Sequence, residues 1–163
     1  MYNHRKPTRL PNYDYSTDNY YFVTICTYEK KCIFGSPDKL NIMGNIAKAD
    51  LLRIPEHFQN VKVDHLVVMP NHIHAIIVIG CNNKEGTRPK LDIIIGQYKS
   101  GVSRKIRKHF SDTTVWQRSF HDHIIRSRAS YEKIWEYIET NPLRWEKDCF
   151  YQPVGEGLDP PTA

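Results

Sequence analysis

The chain has 163 residues, 40% of them hydrophobic and 25% charged, which is enough for one compact domain with a core of its own. A formal net charge of +5 and a pI of about 9.0 favour an anionic partner. The longest apolar run is too short to cross a bilayer, and Met1-Tyr2-Asn3-His4 does not open a signal peptide. Cys26, Cys32, Cys81 and Cys149 lack C-x-x-C pairing and zinc-like spacing. The expectation is a soluble cytoplasmic protein with reduced thiols, no membrane contact and no disulfide framework.

In chain order, residues 1–17 read as a basic, tyrosine-rich arm and residues 20–28 as a first strand. A helix over 40–58 is interrupted or ended near Pro55. Residues 61–69 and 72–79 form a hairpin around Met69-Pro70-Asn71, followed by a polar, glycine-containing loop over 81–89. Residues 91–110 form a second helix, with Ile93, Ile94, Ile106 and Phe110 available to bury and Lys99, Arg104, Lys105, Arg107 and Lys108 as its charges. A fourth strand over 119–126 and a last helix complete the domain, which ends near residue 150. Residues 151–163, rich in proline and glycine, read as a flexible tail. The order strand-helix-strand-strand-helix-strand predicts an α+β fold. Its sheet is antiparallel, a ferredoxin-like split βαβ, with helices on one face and a C-terminal helix added; the other face is left for a site.

The segment His72-Ile73-His74-Ala75-Ile76-Ile77 carries the strongest chemical signal. Side chains two apart in a strand project to one side, so His72 and His74 share a face while Ile73, Ala75 and Ile77 line the other. Two imidazoles beside a Pro-Asn turn can hold a divalent metal, although a three-ligand site needs a further partner. The plain alternative is a chance pair on a half-polar strand.

Tyr131, Ile134, Trp135 and Ile138 recur at i, i+3, i+4 and i+7, the pattern of an amphipathic helix. Ser130 is the expected N-cap, and Pro142 should end the helix at Asn141. Tyr137 and Asn141, four apart, then present a phenol and an amide oxygen together at the edge of the apolar stripe.

Taken together, Met69-Pro70-Asn71-His72-Ile73-His74, Val115-Trp116-Gln117-Arg118-Ser119-Phe120 with His123-Ile124-Ile125-Arg126, and Tyr137-Ile138 with Asn141-Pro142 resemble the single-tyrosine HUH transposases. The branch they resemble is the REP-associated tyrosine transposases, and Leu10-Pro11-Asn12-Tyr13-Asp14-Tyr15 and Tyr21-Phe22-Val23-Thr24-Ile25-Cys26-Thr27 are similar to the same branch. The resemblance runs from about residue 9 to about residue 147. It implies that His72, His74 and Asn141 bind Mg²⁺ or Mn²⁺ and that Tyr137 is the nucleophile. Many insertion-sequence members carry Gln where Asn141 stands. The implied activity is nicking and joining of single-stranded or hairpin DNA through a covalent 5′-phosphotyrosine, by a monomer or a homodimer.

The chemistry is coherent on its own terms. A phosphodiester repels an incoming nucleophile, and a divalent cation on a non-bridging oxygen offsets that charge. Two imidazoles, an amide oxygen, phosphate and water suit Mg²⁺ or Mn²⁺, and a phenol needs such activation because its reference pKa is near 10. The Lys99–Lys108 stretch and Arg118 are candidate phosphate contacts, and Trp116 is either a base-stacking indole or a core anchor. Tyr98 has Val102 rather than an amide at i+4, so it reads as structural or DNA-contacting. His121 and His123 are at most adjacent to the site. Two other readings stand beside strand transfer: an inert DNA- or RNA-binding protein, and a phosphoesterase that uses water, for which Tyr137 would be dispensable.

Overall fold

In strand β1, Asn19–Cys26, Tyr21, Val23 and Ile25 are fully buried on one face while Tyr20, Phe22 and Thr24 take the other. The computed structural model describes residues 9–80 and 88–152, so residues 1–8 of the expected arm, most of the 81–89 loop and residues 153–163 of the expected tail lie outside it. Helix α1, Ile42–Leu52, is capped by Asn41, whose side chain accepts a hydrogen bond from the Gly44 N–H at 3.0 Å. Helix α2, Ile54–His57, follows at once with Pro55 in its first turn, where a missing N–H costs nothing. Strands β2, Val61–Val68, and β3, His72–Ile79, form the expected hairpin, and helix α3, Leu91–His109, follows.

Strand β4 is His121–Ile125, shorter than expected at its start because Ser119 has φ +71°, incompatible with a strand. Helix α4, Arg128–Thr140, begins a turn earlier than the sequence implied: Ser127, not Ser130, is the N-cap, and its hydroxyl accepts the Ser130 N–H at 3.1 Å. α4 ends at Thr140 with Asn141 as its C-cap, as Pro142 implied, but the chain goes on coiling beyond it. Asn141 keeps helical φ/ψ and opens a 3-10 segment, Asn141–Lys147, with the proline in its first turn.

The four strands lie in the order β2-β3-β1-β4, every neighbour antiparallel, which is the split βαβ arrangement. One face packs Ile73, Ala75, Ile77 and Ile79 of β3 against Ala47 and Leu51 of α1 and Ile94, Ile95, Val102 and Ile106 of α3. On the other face α4 lays Ile138 and Ile134 over Ile76, Val78 and Ile125. This two-sided burial explains why β3 is buried at every position and why its apolar run is continuous. Replacing Ile77, fully buried at the centre of the larger core, with Ala is expected to cost about 2–5 kcal/mol. A lowered urea midpoint at unchanged slope would report it.

Candidate active site

His72 and His74 occupy the start of β3 on the face that α4 covers, with 0% and 1% exposure. His72 Nδ1 lies 2.8 Å from Asn71 Oδ1. The Asn71 amide is oriented by its NH₂, which donates to the Lys30 and Phe150 carbonyls at 3.0 and 2.7 Å, so its oxygen faces the ring. An oxygen that only accepts requires the proton on Nδ1, and His72 Nε2 is left as a lone pair. Burial pushes the His72 pKa down to about 4, and burial together with His72 holds His74 well below its usual value. Both rings are therefore neutral at neutral pH, the form that binds metals.

His74 Nδ1 lies 2.9 Å from the buried Thr24 hydroxyl, its cross-strand partner. In the tautomer whose Nδ1–H donates to Thr24 Oγ1, His74 Nε2 presents a second lone pair to the site. Changing Thr24 to Val removes that acceptor at nearly constant volume. The expected result is a 10–100-fold weaker Mn²⁺ affinity by calorimetry, with the fold retained.

Helix α4 brings Tyr137 to the same place. Its hydroxyl is 3.4 Å from His74 Nε2, and its ring meets Phe22 edge-on at 6.2 Å. The residue is 38% exposed, so the phenol sits at the mouth of the site rather than locked inside. Burial and the Asp148 charge raise its pKa, and the Asn141 side chain opposes the rise. Asn141 is 2% exposed; its NH₂ donates to Asp148 Oδ2 at 3.0 Å.

Asp148 was not singled out in the sequence. It follows the 3-10 segment, its carboxylate is 2% exposed, and Oδ2 lies 3.9 Å from His72 Nε2. Seven residues beyond Asn141 with no fixed periodicity between them, it has no sequence signature. Only the 3-10 turn carries it back to the imidazoles. Among the described residues, His72, His74 and Asp148 form one group with ligand atoms within 4.8 Å of one another. His72 Nε2 and Asn141 Oδ1 are buried without hydrogen-bond partners. Unpaired buried acceptors of this kind are costly, and a divalent cation would satisfy both. Two imidazole nitrogens, a carboxylate and an amide oxygen form a donor set that fits Mg²⁺ or Mn²⁺, with the nitrogens favouring Mn²⁺.

The expected phosphate contacts fall elsewhere. α3 packs on the opposite sheet face from the histidines, so its charges do not converge with Tyr137. Lys99 Nζ donates to the Gln117 and Ser119 carbonyls at 2.7 and 2.8 Å, Lys105 is paired with Asp50, and Arg107 Nε donates to the Thr113 carbonyl at 3.3 Å. Arg104, Lys108 and Arg118 are exposed. Trp116 packs between Phe34 and Tyr98 and donates its indole N–H to the Lys99 carbonyl at 3.0 Å, which is the anchoring alternative rather than a presented stacking platform. Tyr98 is buried and donates to the Ala47 carbonyl at 2.8 Å, which is the structural one of the two roles expected for it.

Solved structures share this architecture. A REP-associated tyrosine transposase bound to a REP hairpin is similar with a TM-score of 0.58 and 16% identity, over 83% of this chain and 73% of that one. A candidate transposase of Deinococcus radiodurans is similar with a TM-score of 0.52 and 17% identity, over 81% and 95%. The fold, then, is the one seen in that REP-associated tyrosine transposase. At the level of sequence, an uncharacterized protein of Haemophilus influenzae is 38% identical over 91% of this chain and 93% of its own length. The profile of the IS200-like transposases matches residues 15–141, and the chain belongs to that family, a DNA-processing enzyme with a transposase-like role. No helix among the described residues is long and apolar enough to cross a membrane.

Proposed function

We propose that the chain is a cytoplasmic, metal-dependent nuclease and strand transferase for single-stranded, hairpin-associated DNA, with residues 1–150 as its single catalytic domain. Tyr137 is the nucleophile. Its oxygen forms the new bond to phosphorus, the phenol proton leaves to water at the open mouth, and the bond to the 3′ oxygen breaks as that oxygen keeps the electron pair and takes a proton from water. The products are a 5′-phosphotyrosine and a free 3′ hydroxyl, so the bond energy is kept and a second strand's 3′ hydroxyl can reverse the step without ATP. His72, His74 and Asp148 would hold Mg²⁺ or Mn²⁺, with the Asn141 oxygen as a further donor. The cation supplies positive charge that offsets the phosphate and favours the phenolate. Thr24 and Asn71 fix the imidazole tautomers, and Asn141 restrains the Asp148 carboxylate.

The observation that carries this reading is the convergence, within one chain, of the Tyr137 hydroxyl, 3.4 Å from His74 Nε2, with the unpartnered His72 Nε2 and Asn141 Oδ1. Because the tyrosine meets histidines of its own chain, a monomer has a complete site. Incubation with Mn²⁺ and a hairpin bearing a single-stranded extension should leave a fraction of the protein shifted by covalent DNA on a denaturing gel. Cleavage without an adduct would point instead to hydrolysis by water, and binding without cleavage across many hairpins to an inert DNA-binding protein.

A further inference from the structure

The face that carries the histidines is only half covered. α4 runs along β3, resting Trp135 on His65 of β2, centroids 4.4 Å apart, and turning Tyr137 toward Phe22 of β1. Over β1 and β4, register alone identifies the floor. Thr24 pairs with both His74 and His121, Phe22 with His123, and Tyr20 with Ile125, so all of these side chains share one face. His121 and His123 are exposed and Tyr20 is 39% exposed. None of the six floor positions of β1 and β4 carries an acid. Asp122, between the two histidines, points to the other face, where it pairs with Arg9.

The floor leads away from the catalytic tyrosine. His121 stands two strand spacings from His74, about 10 Å, and Tyr20 four residues along β1 from Thr24, about 13 Å. At that far end Tyr20, Ile125, Arg126, Ser127, Arg128 and Tyr131 line a cleft of about 420 Å³. Tyr131 braces the Tyr20 ring edge-on at 5.6 Å, and Arg126 is exposed. Lys133, one turn before Tyr137 on the same flank of α4, is exposed along the wall.

Resting on the strand-cleavage reading, we infer that this β1–β4 floor is the track of the single-stranded DNA leading from the scissile phosphate. His121 and His123 donate N–H groups to successive phosphates, Arg126 holds a phosphate at the far end, and an unpaired base stacks on Tyr20 in the cleft. Charge selects the occupant: two imidazoles, Lys133 and Arg126 beside a floor that carries no carboxylate suit a polyanion, whereas Arg128 is held by Glu132 at 2.9 Å. Width selects its form, since a floor of two strands beside a helix wall admits one extended strand and not a duplex. The track would replace the basic side of α3, which faces away from Tyr137, as the main binding surface.

Fluorescence anisotropy with a labelled oligothymidine in EDTA tests this without requiring chemistry. Tyr20→Ala should weaken binding roughly 5- to 160-fold, the range for one stacked base. His121→Glu/His123→Glu and Arg126→Glu should each weaken it about 10-fold, and loss of the Arg126 charge should reduce the salt slope by about 0.7. Arg104→Glu/Lys108→Glu on α3 should change affinity less than twofold. All these positions are wholly or partly exposed, and circular dichroism confirms folding. Wild-type-like binding by the track variants, or a larger loss in the α3 variant, overturns the track even if Tyr137 still forms adducts. The converse, binding through the track with no adduct in Mn²⁺, keeps the track and sinks the strand-cleavage reading.

Discussion

Tyr137→Phe is expected to abolish the covalent protein–DNA adduct, lowering cleavage by a factor on the order of 10³ or more, the scale seen when a nucleophile is removed. Affinity for the same DNA should change less than severalfold. The ring stays, so its edge-on contact with Phe22 and its packing beside His74, centroids 5.1 Å apart, are retained. Only the hydroxyl 3.4 Å from His74 Nε2 is removed. The separation of binding from chemistry makes this variant decisive. A phosphoesterase that activates water would cleave normally without the hydroxyl, and a persistent adduct would mean that another residue attacks. Tyr98 is not that residue, since its hydroxyl is buried and engaged with the Ala47 carbonyl.

The second large effect concerns the cation. At a Mn²⁺ concentration about 100 times Kd, a ligand that binds only the folded state stabilises it by about 2.7 kcal/mol. For a chain of this size that raises Tm by roughly 5–11 °C. His72→Ala/His74→Ala should erase the shift and the cleavage together. Asp148→Ala and Asn141→Ala divide the oxygen ligands. The Asp148 carboxylate carries the only negative charge in the group formed with the two histidines, so its loss should remove most of the shift. Loss of Asn141 should weaken binding about 10–100-fold, through its own oxygen and through the hydrogen bond at 3.0 Å that restrains Asp148. An unchanged shift in the double histidine variant would place Mn²⁺ elsewhere.

The fold was legible where periodicity was strong. The β2–β3 hairpin and α3 fall within one residue of their expected bounds, because β3 carries a continuous apolar run and α3 repeats apolar residues at helical spacing. The misplaced boundaries have local causes: the positive φ of Ser119 delays β4, and Ser127 rather than Ser130 caps α4. The paired faces of β3 were readable from alternation alone. Two parts of the site were not. Asp148 reaches His72 through a 3-10 segment that the usual effect of proline on helices argued against. The basic character of α3 was plain in the sequence, but a count of charges does not say which sheet face a helix covers. Tertiary packing puts α3 behind the sheet and engages Lys99, Lys105 and Arg107 with carbonyls or Asp50. The same packing leaves His121 and His123 in the open beside Tyr137's side of the sheet.

One measurement bears most directly on the meeting of the β3 imidazoles and the α4 phenol around a single cation: anomalous scattering from crystals grown with Mn²⁺. One strong peak is expected within coordination distance, about 2.0–2.3 Å, of His72 Nε2, His74 Nε2 and a carboxylate oxygen of Asp148, with the Tyr137 hydroxyl beside it. No peak at saturating Mn²⁺, or a peak that engages neither histidine, would contradict it.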